Sequence, residues 1–231
     1  MIPLRDANPT RRTPVVTLTL IALCGIAFAW ELGILAQGGD EALTRFVGQH
    51  GAVPVDLWAA IGRGDLLSAP VLGVFTSMFL HGGWLHLLGN MLYLWIFGNN
   101  VEDRMGRPVY LAFYLLGGIA AVAGQVLIDP TSDVPMIGAS GAISAALGAY
   151  LVLYPRARIQ SLVFLGFFYQ LIAVPAVIVL GFWIVLQVID GLGSLGAGTG
   201  AGGGVAFFAH IGGFLMGALF ALPFRLRSPS R

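Results

Sequence analysis

The sequence predicts an all-α membrane protein, a bundle of six transmembrane helices with both termini in the cytoplasm. Of the 231 residues, 57% are hydrophobic and only 10% are charged, whereas soluble domains carry roughly 25% charged residues. Six apolar runs alternate with polar or turn-forming segments, and the arginines are distributed unequally among those segments. The composition excludes a soluble globular domain, and we expect no nucleic-acid partner.

The six apolar runs are the predicted spans of the ~30 Å hydrocarbon core. The fourth run is short, and we expect its first residue to lie below the membrane surface. In chain order the runs are Val15–Ala36, Trp84–Phe97, Pro108–Ile128, Ser140–Tyr154, Val174–Ile189 and Val205–Leu222.

The connections differ in character. Gln37–Leu80 mixes charged and apolar residues, which predicts short helices in the membrane interface with Trp58 as an anchor. Ile159–Leu171 is apolar and is expected to lie along the interface. Asp190–Gly204 is rich in glycine and is expected to form a loop, because glycine favours irregular backbone.

Arginine placement predicts the orientation, because cytoplasmic segments of membrane proteins carry an excess of positive charge. With the N-terminus in the cytoplasm, only Arg45 and Arg63 lie on the opposite side. The ten cytoplasmic arginines are then Arg5, Arg11, Arg12, Arg104, Arg107, Arg156, Arg158, Arg225, Arg227 and Arg231. The predicted organisation is a cytoplasmic tail (1–14), one six-span domain (15–225) and a second cytoplasmic tail (226–231), in what we expect to be a bacterial inner membrane.

Ser140 lies where a loop becomes the fourth helix, between Gly138 and Gly141. The preceding Asp129–Pro135 cannot continue a helix, because its prolines and turn-forming residues break one. A serine at such a place is beside the free N–H groups and the positive dipole end of the helix. This position suits a nucleophile whose attack creates an oxyanion, and it equally suits an ordinary N-cap.

Three polar sites are predicted at nearly one depth. From Ser140, His210 and His86 to the next charged flank there are 15 or 16 residues, or ~22–24 Å at the rise of a helix. All three therefore lie a little below the outer surface. Polar side chains at such a depth usually face the bundle interior or a water-filled cavity, so the three sites can meet there.

A serine and a histidine that meet in this way allow acyl transfer. His210 can take the proton of Ser140 as a general base. The Ser140 backbone N–H, together with His86 and Asn90 on one face of their helix, can stabilise an oxyanion. Ser144, one turn beyond Ser140, is predicted to bond back to its own helix.

No acidic side chain is placed to orient His210. Asp133 and Asp190 are predicted to be loop residues, so we expect a dyad instead of a triad. Gly213 and Gly217 form a Gly-x-x-x-Gly step that predicts close helix packing, and Gly138 and Gly141 are assigned the same structural role.

These motifs resemble those of rhomboid intramembrane serine proteases over roughly residues 15–225. The matching segments are His86–Asn90 (His-x-x-x-Asn), Gly138–Gly141 (Gly-x-Ser-Gly) and Ala209–Gly213 with Gly217 (Ala-His-x-x-Gly-x-x-x-Gly). They fall in order on the second, fourth and sixth spans, as that family requires. The resemblance implies that Ser140 is the nucleophile, His210 the general base, and His86 and Asn90 residues of the oxyanion hole.

The resemblance also implies the reaction, which is hydrolysis of peptide bonds within or beside transmembrane helices of single-span or polytopic membrane proteins, in the lipid bilayer. It implies no cofactor and no metal, and the oligomeric state is left open. Two other classes are weighed against it. A transporter or channel is disfavoured, because the polar residues stop at one level and the halves show no obvious repeat. An inactive relative that binds transmembrane clients is disfavoured by the intact Ser140 and His210.

Overall fold

The computed structural model describes residues 1–165, 168–196 and 205–226, and most of them are helical. Two predicted segments lie partly outside these ranges: residues 197–204 of the glycine-rich loop and residues 227–231 of the C-terminal tail. In chain order the elements are β1 (Ile2–Asp6), α1 (Val15–His50), α2 (Pro54–Gly62), α3 (Ala69–Thr76), a 3₁₀ turn (Ser77–Phe79), α4 (Trp84–Tyr93), a π-helical turn (Leu94–Gly98), α5 (Asn99–Met105), α6 (Arg107–Ile128), α7 (Ser140–Leu153), β2 (Arg158–Leu165), β3 (Phe168–Pro175), α8 (Ala176–Gly196) and α9 (Phe207–Leu226).

In the described part of the chain, four helices are long and apolar enough to cross a membrane: α1, α6, α8 and α9. The pair Ala69–Phe79 and Trp84–Met105 also passes this test together, but it is bent by 78° at its break. Helix α7 has only 14 residues, or ~21 Å of helix. Four or five spans are therefore present among the described residues, and the count of six stays a prediction.

The first connection contains the expected short helices, α2 and α3, and the first helix is longer than predicted. Helix α1 continues past Ala36 to His50, with a break at Gly39. Gly39 has φ +67° and ψ −170°, a conformation that side chains with a Cβ rarely adopt. The glycine therefore separates the apolar span from a second helical segment that leads to α2.

The charged segment after the second span is helical. Helices α4 and α5 are joined through the π-helical turn, and the chain turns only at Gly106, where φ is +80°. Glu102 is buried at the N-terminus of α1, where its carboxylate accepts hydrogen bonds from the N–H of Val16 (3.0 Å) and from the N–H and Oγ1 of Thr17 (both 2.8 Å). Helix α1 has no side-chain cap of its own, so Glu102 supplies one.

Helices α6, α7 and α9 pack in direct backbone contact at the centre of the protein. Nine consecutive residues of α7, from Ala142 to Tyr150, are buried, because most of them are too small to hold neighbouring helices apart. A Cβ added at Gly213 or Gly217 of α9 would overlap the carbonyl oxygen of Gly141 or Ala145 of α7. Glycine at these positions therefore allows the close approach of the two helices.

The prediction of an all-α protein omits a three-stranded antiparallel sheet of order β1-β2-β3. The apolar segment 159–171, expected along the interface, supplies most of β2 and β3, while β1 comes from the polar N-terminal tail. In β2, the buried Ile159 and Ser161 flank the exposed Gln160. This period of two in burial is typical of a strand. The sequence does not show it, because the buried Ser161 is polar and most of the segment is apolar.

Helix α8 is also longer than predicted and continues through Asp190 to Gly196. The loop expected at 190–204 therefore begins later, at least in the described residues. Glycines 191 and 193 lie within this helix, where glycine weakens the helix but does not prevent it. Most of the large apolar side chains of α8 are exposed, as expected of a helix that faces lipid.

Candidate active site

Ser140 is the first residue of α7, and Ala139 occupies the N-cap position without a side-chain cap bond. The interpretation of Ser140 as an N-cap is therefore wrong. The loop before it is held by a bridge between Ala52 and Met136 and by the N–H of Gly138, which donates to the carbonyl oxygen of Ser77 (2.8 Å). The Ser140 hydroxyl is thus available to other partners.

His210 of α9 faces this hydroxyl. Its Nε2 lies 2.9 Å from Oγ of Ser140, within normal hydrogen-bond distance. The glycine contacts between α7 and α9 explain the approach, because Gly141 follows Ser140 directly and Gly213 lies one turn after His210. The structure therefore brings together the two residues that the sequence analysis paired.

The other ring nitrogen of His210 has a partner that sequence reasoning missed. Nδ1 lies 2.6 Å from Oε1 of Gln187 on α8. The two acidic residues considered for this role, Asp133 and Asp190, are exposed. One signal pointed to Gln187: it is the only amide, hydroxyl or charged side chain in the run Val174–Ile189, and an isolated polar residue within a span often has a function.

His86 of α4 lies beside Gly138, close to Ser140. The N–H of Gly82 is directed at Nδ1 of His86 (3.3 Å), so Nδ1 is the acceptor and the ring proton is on Nε2. Gly138 has φ +121°, and a Cβ built there would lie 2.7 Å from Nε2 of His86 and 3.6 Å from Oγ of Ser140. Glycine at position 138 therefore leaves open the space between the imidazole N–H and the serine.

Asn90 lies one turn below His86 and is 7% exposed. Its Nδ2 donates a hydrogen bond to the backbone carbonyl oxygen of His86 (2.9 Å). A primary amide has two N–H groups, so one remains for a ligand in the cavity. Among the described residues, Asn90 thus uses one of its two amide N–H groups and lies at the site.

These side chains line a cavity of about 850 Å³ between α4, α6, α7, α8 and α9. Ser140, His86, Asn90 and His210 all contribute to its walls, together with Trp183 of α8. The remaining lining is largely glycine and apolar side chains. An apolar cavity with a few convergent polar groups is the usual form of a binding site.

Several other polar residues have structural roles. Ser144 donates from Oγ to the carbonyl oxygen of Ser140 (2.6 Å), which confirms the predicted bond back to its own helix. His81 is buried, with its ring centroid 5.2 Å from that of His86. His50 ends α1 and stacks on Phe46. The Trp183 and His210 rings lie 5.8 Å apart, so this tryptophan packs against the site.

Within residues 1–165, 168–196 and 205–226, no group of three or more His, Cys, Asp or Glu side chains comes together as a metal site would need. The chemistry that the described site offers is that of the serine hydroxyl, the imidazole base and the neighbouring N–H donors.

Comparison with known proteins identifies a family to which the chain is similar. A family model described as the Rhomboid domain matches residues 69–227. Rhomboid protein 1, mitochondrial, of Saccharomyces cerevisiae is 28% identical over 153 residues, which are 64% of this chain and 40% of that protein. Rhomboid protease GluP of Bacillus subtilis is 34% identical over 150 residues, 65% of this chain and 26% of that protein. Presenilin-associated rhomboid-like protein, mitochondrial, of Homo sapiens is 31% identical over 107 residues, 45% and 27% of the two chains.

The chain spans less than half the length of each of these relatives. The family match itself extends from α3 to the end of α9 and covers more than half of the chain. It includes the segments that carry His86, Ser140 and His210. Together with the apolar helices, this match identifies the chain as an integral membrane protein of the rhomboid family.

Proposed function

We propose that this protein is an intramembrane serine endopeptidase with a Ser140–His210 dyad. It cleaves peptide bonds within or next to the transmembrane helices of membrane-protein substrates. The observation that carries the proposal is the 2.9 Å separation of Ser140 Oγ and His210 Nε2 at the wall of a cavity. A serine becomes a useful nucleophile only beside such a base.

Acylation begins when His210 Nε2 takes the hydroxyl proton of Ser140. Oγ forms a bond to the carbonyl carbon of the substrate, and the electron pair of the C=O bond moves to its oxygen. The imidazolium then gives its proton to the leaving amine nitrogen as the C–N bond breaks. The product is an ester of Ser140 and a free amine.

The negative oxygen formed in this step needs hydrogen-bond donors. The Ser140 backbone N–H is one, because the first N–H groups of a helix have no partner within the helix. The protonated Nε2 of His86, on the Gly138 side of the serine, is a second. The unoccupied N–H of Asn90 is a third. In deacylation, His210 Nε2 takes a proton from water as the water oxygen bonds to the carbonyl carbon of the ester. The imidazolium then returns that proton to Ser140 Oγ as the ester C–Oγ bond breaks, which releases the acid product and restores the serine.

The substrate must leave its helical conformation to react, since a helical peptide bond is enclosed by its own hydrogen bonds and side chains. We therefore expect residues that weaken a helix, or small residues, near the cleaved bond. We expect the substrate to enter the cavity of about 850 Å³ as a short extended segment.

The proposal also includes six spans, both termini in the cytoplasm and a site near the opposite face, in a bacterial inner membrane. The arginine distribution supports this orientation. A reporter active only in the cytoplasm, fused after Arg231, should be active, and one active only in the periplasm should be silent. The reverse pattern would contradict the orientation but leave the proposed chemistry intact.

The central experiment compares Ser140→Ala with Ser144→Ala in purified, reconstituted protein. Each variant loses one hydroxyl from the same turn of α7, so both should fold. Ser140→Ala should abolish cleavage of transmembrane substrates and labelling by a fluorophosphonate, whereas Ser144→Ala should keep both. A panel of single-span substrates with mass spectrometry of the products would identify the cleaved bonds. Undiminished cleavage by folded Ser140→Ala would rule out the proposal.

A further inference from the structure

Gln187 is the described residue that contacts His210 on the side away from Ser140. Its Oε1 lies 2.6 Å from Nδ1 of His210. An amide oxygen has no proton and only accepts hydrogen bonds, so Nδ1 must be the donor. In a neutral imidazole the proton is on one nitrogen only. The Gln187 contact therefore leaves the lone pair on Nε2, directed at the Ser140 hydroxyl.

We propose that Gln187 is a positioning residue for His210, so that Ser140, His210 and Gln187 form a chain of hydrogen bonds. This inference rests on the proposed function. Without Gln187, the ring has no described partner for Nδ1. The imidazole proton can then move to Nε2, and a protonated Nε2 cannot accept the proton of Ser140. The ring can also rotate about its side-chain bonds away from the serine.

The position of Gln187 explains why an amide performs this task. Gln187 is the only amide, hydroxyl or charged side chain in the run Val174–Ile189, and Asp190 follows one turn later on α8. The helix exposes most of its large apolar side chains. An ionised carboxylate is costly to place within a membrane span, whereas a neutral amide orients the ring at a lower desolvation cost. The amide brings no negative charge to stabilise the imidazolium. The other titratable side chains that line the cavity among the described residues are His86 and Tyr93, both on α4.

The test compares Gln187→Leu, Gln187→Glu and Gln125→Leu with the wild type. Gln125 of α6 is the matched control. It is also a glutamine within a span, its Oε1 is buried without a partner among the described residues, and it does not line the cavity. Cleavage in lipid vesicles gives kcat and KM for each variant across a pH series. Fluorophosphonate labelling gives the reactivity of Ser140 without any substrate.

Gln187→Leu should lower kcat and the labelling rate at least tenfold with KM little changed, while Gln125→Leu keeps wild-type values. A wrong tautomer costs serine protease triads roughly 10⁴ in kcat. The loss here should be smaller, because the amide contributes no charge. Gln187→Glu should recover part of the lost activity, and the acid limb of its pH profile should move to higher pH, because a carboxylate stabilises the imidazolium.

Wild-type kcat and labelling in folded Gln187→Leu would overturn the inference. So would a Gln187→Glu protein that is no more active than the Leu variant and keeps the wild-type acid limb. If Gln187→Leu does not fold, the pH profile of Gln187→Glu still decides. A wild type that neither cleaves nor reacts with the probe would instead refute the proposed function, so the two failures are distinguishable.

Discussion

His210 is held on two sides by contacts of different kinds. On the α7 side, backbone meets backbone, because glycines 213 and 217 rest directly on the carbonyl oxygens of Gly141 and Ala145. On the α8 side, two side chains reach the ring, Gln187 by a hydrogen bond and Trp183 by packing. The first contact fixes the distance to the nucleophile, and the second orients the ring.

Side-chain contacts also occur at α4 and, far from the site, at α1. Helix α4 approaches Ser140 through the side chain of His86, and the N-terminus of α1 is capped by the side chain of Glu102. A backbone contact between helices has no freedom to adjust, because a carbonyl oxygen cannot rotate away from an added methyl group. A side-chain contact can be lost while both helices remain in place. Substitutions of the two kinds should therefore have different consequences.

The largest effect is expected from Gly217→Val. The added side chain would overlap the Ala145 carbonyl oxygen, so α7 and α9 would have to separate. Overpacking typically costs about 1–3 kcal/mol, and the separation would also move His210 away from Ser140. We expect a lower melting temperature and loss of cleavage.

The matched control for that variant is Gly181→Val on α8, where an added Cβ would meet nothing within 4 Å. This variant should keep both its melting temperature and its cleavage rate. Equal losses of melting temperature and cleavage rate in the two variants would mean that valine disturbs any helix of this protein. Backbone contacts would then not differ from side-chain contacts in the way proposed.

An intermediate effect is expected from His86→Ala and Asn90→Ala. If these side chains donate to the oxyanion, their removal lowers kcat more than it changes KM. Loss of one such donor costs roughly 10²–10³ in rate elsewhere. Here Asn90→Ala should cost at least about tenfold, because the Ser140 N–H and His86 remain, and His86→Ala should cost more.

The test measures kcat and KM by steady-state cleavage and the melting temperature for each variant. The double variant should fall short of additivity, since groups that act together are not independent. Early melting with normal kcat in the folded fraction would show that the two residues serve only in packing.

The smallest effect on catalysis is expected from Glu102→Gln. The change removes the charge that accepts three hydrogen bonds at the start of α1. Hydrogen bonds to charged groups contribute about 1.5–3 kcal/mol each, and a cap about 1 kcal/mol. We expect a loss of about 2 kcal/mol in stability with kcat unchanged in the folded protein.

Denaturation in detergent should reveal that loss, with Glu41→Gln as its control. Among the described residues, Glu41 pairs with Arg45 alone, one turn away on the surface, where such a pair contributes little. A Glu102→Gln protein as stable as the control would show that α1 does not depend on this side chain for its cap.

The sequence by itself determined the membrane class, the approximate positions of most helices and the residues that meet in the cavity. Long apolar runs are costly to expose to water and therefore mark helices that lipid or protein must cover. The polar residues His86, Ser140 and His210 stand out against such runs. Counting the helical rise from each to its charged flank placed them at one level, which needs no tertiary information.

Only the tertiary structure decided the partners of those residues. Gln187 could be recognised as polar within a span, but its 23-residue separation from His210 leaves the contact undefined until α8 packs on α9. Nothing local in the sequence shows that Glu102 caps a helix 85 residues earlier in the chain. The sheet depends likewise on pairing β1 with β2, a distant segment. Composition and periodicity report how each residue meets water or lipid, whereas these contacts arise from the packing of segments far apart in the chain.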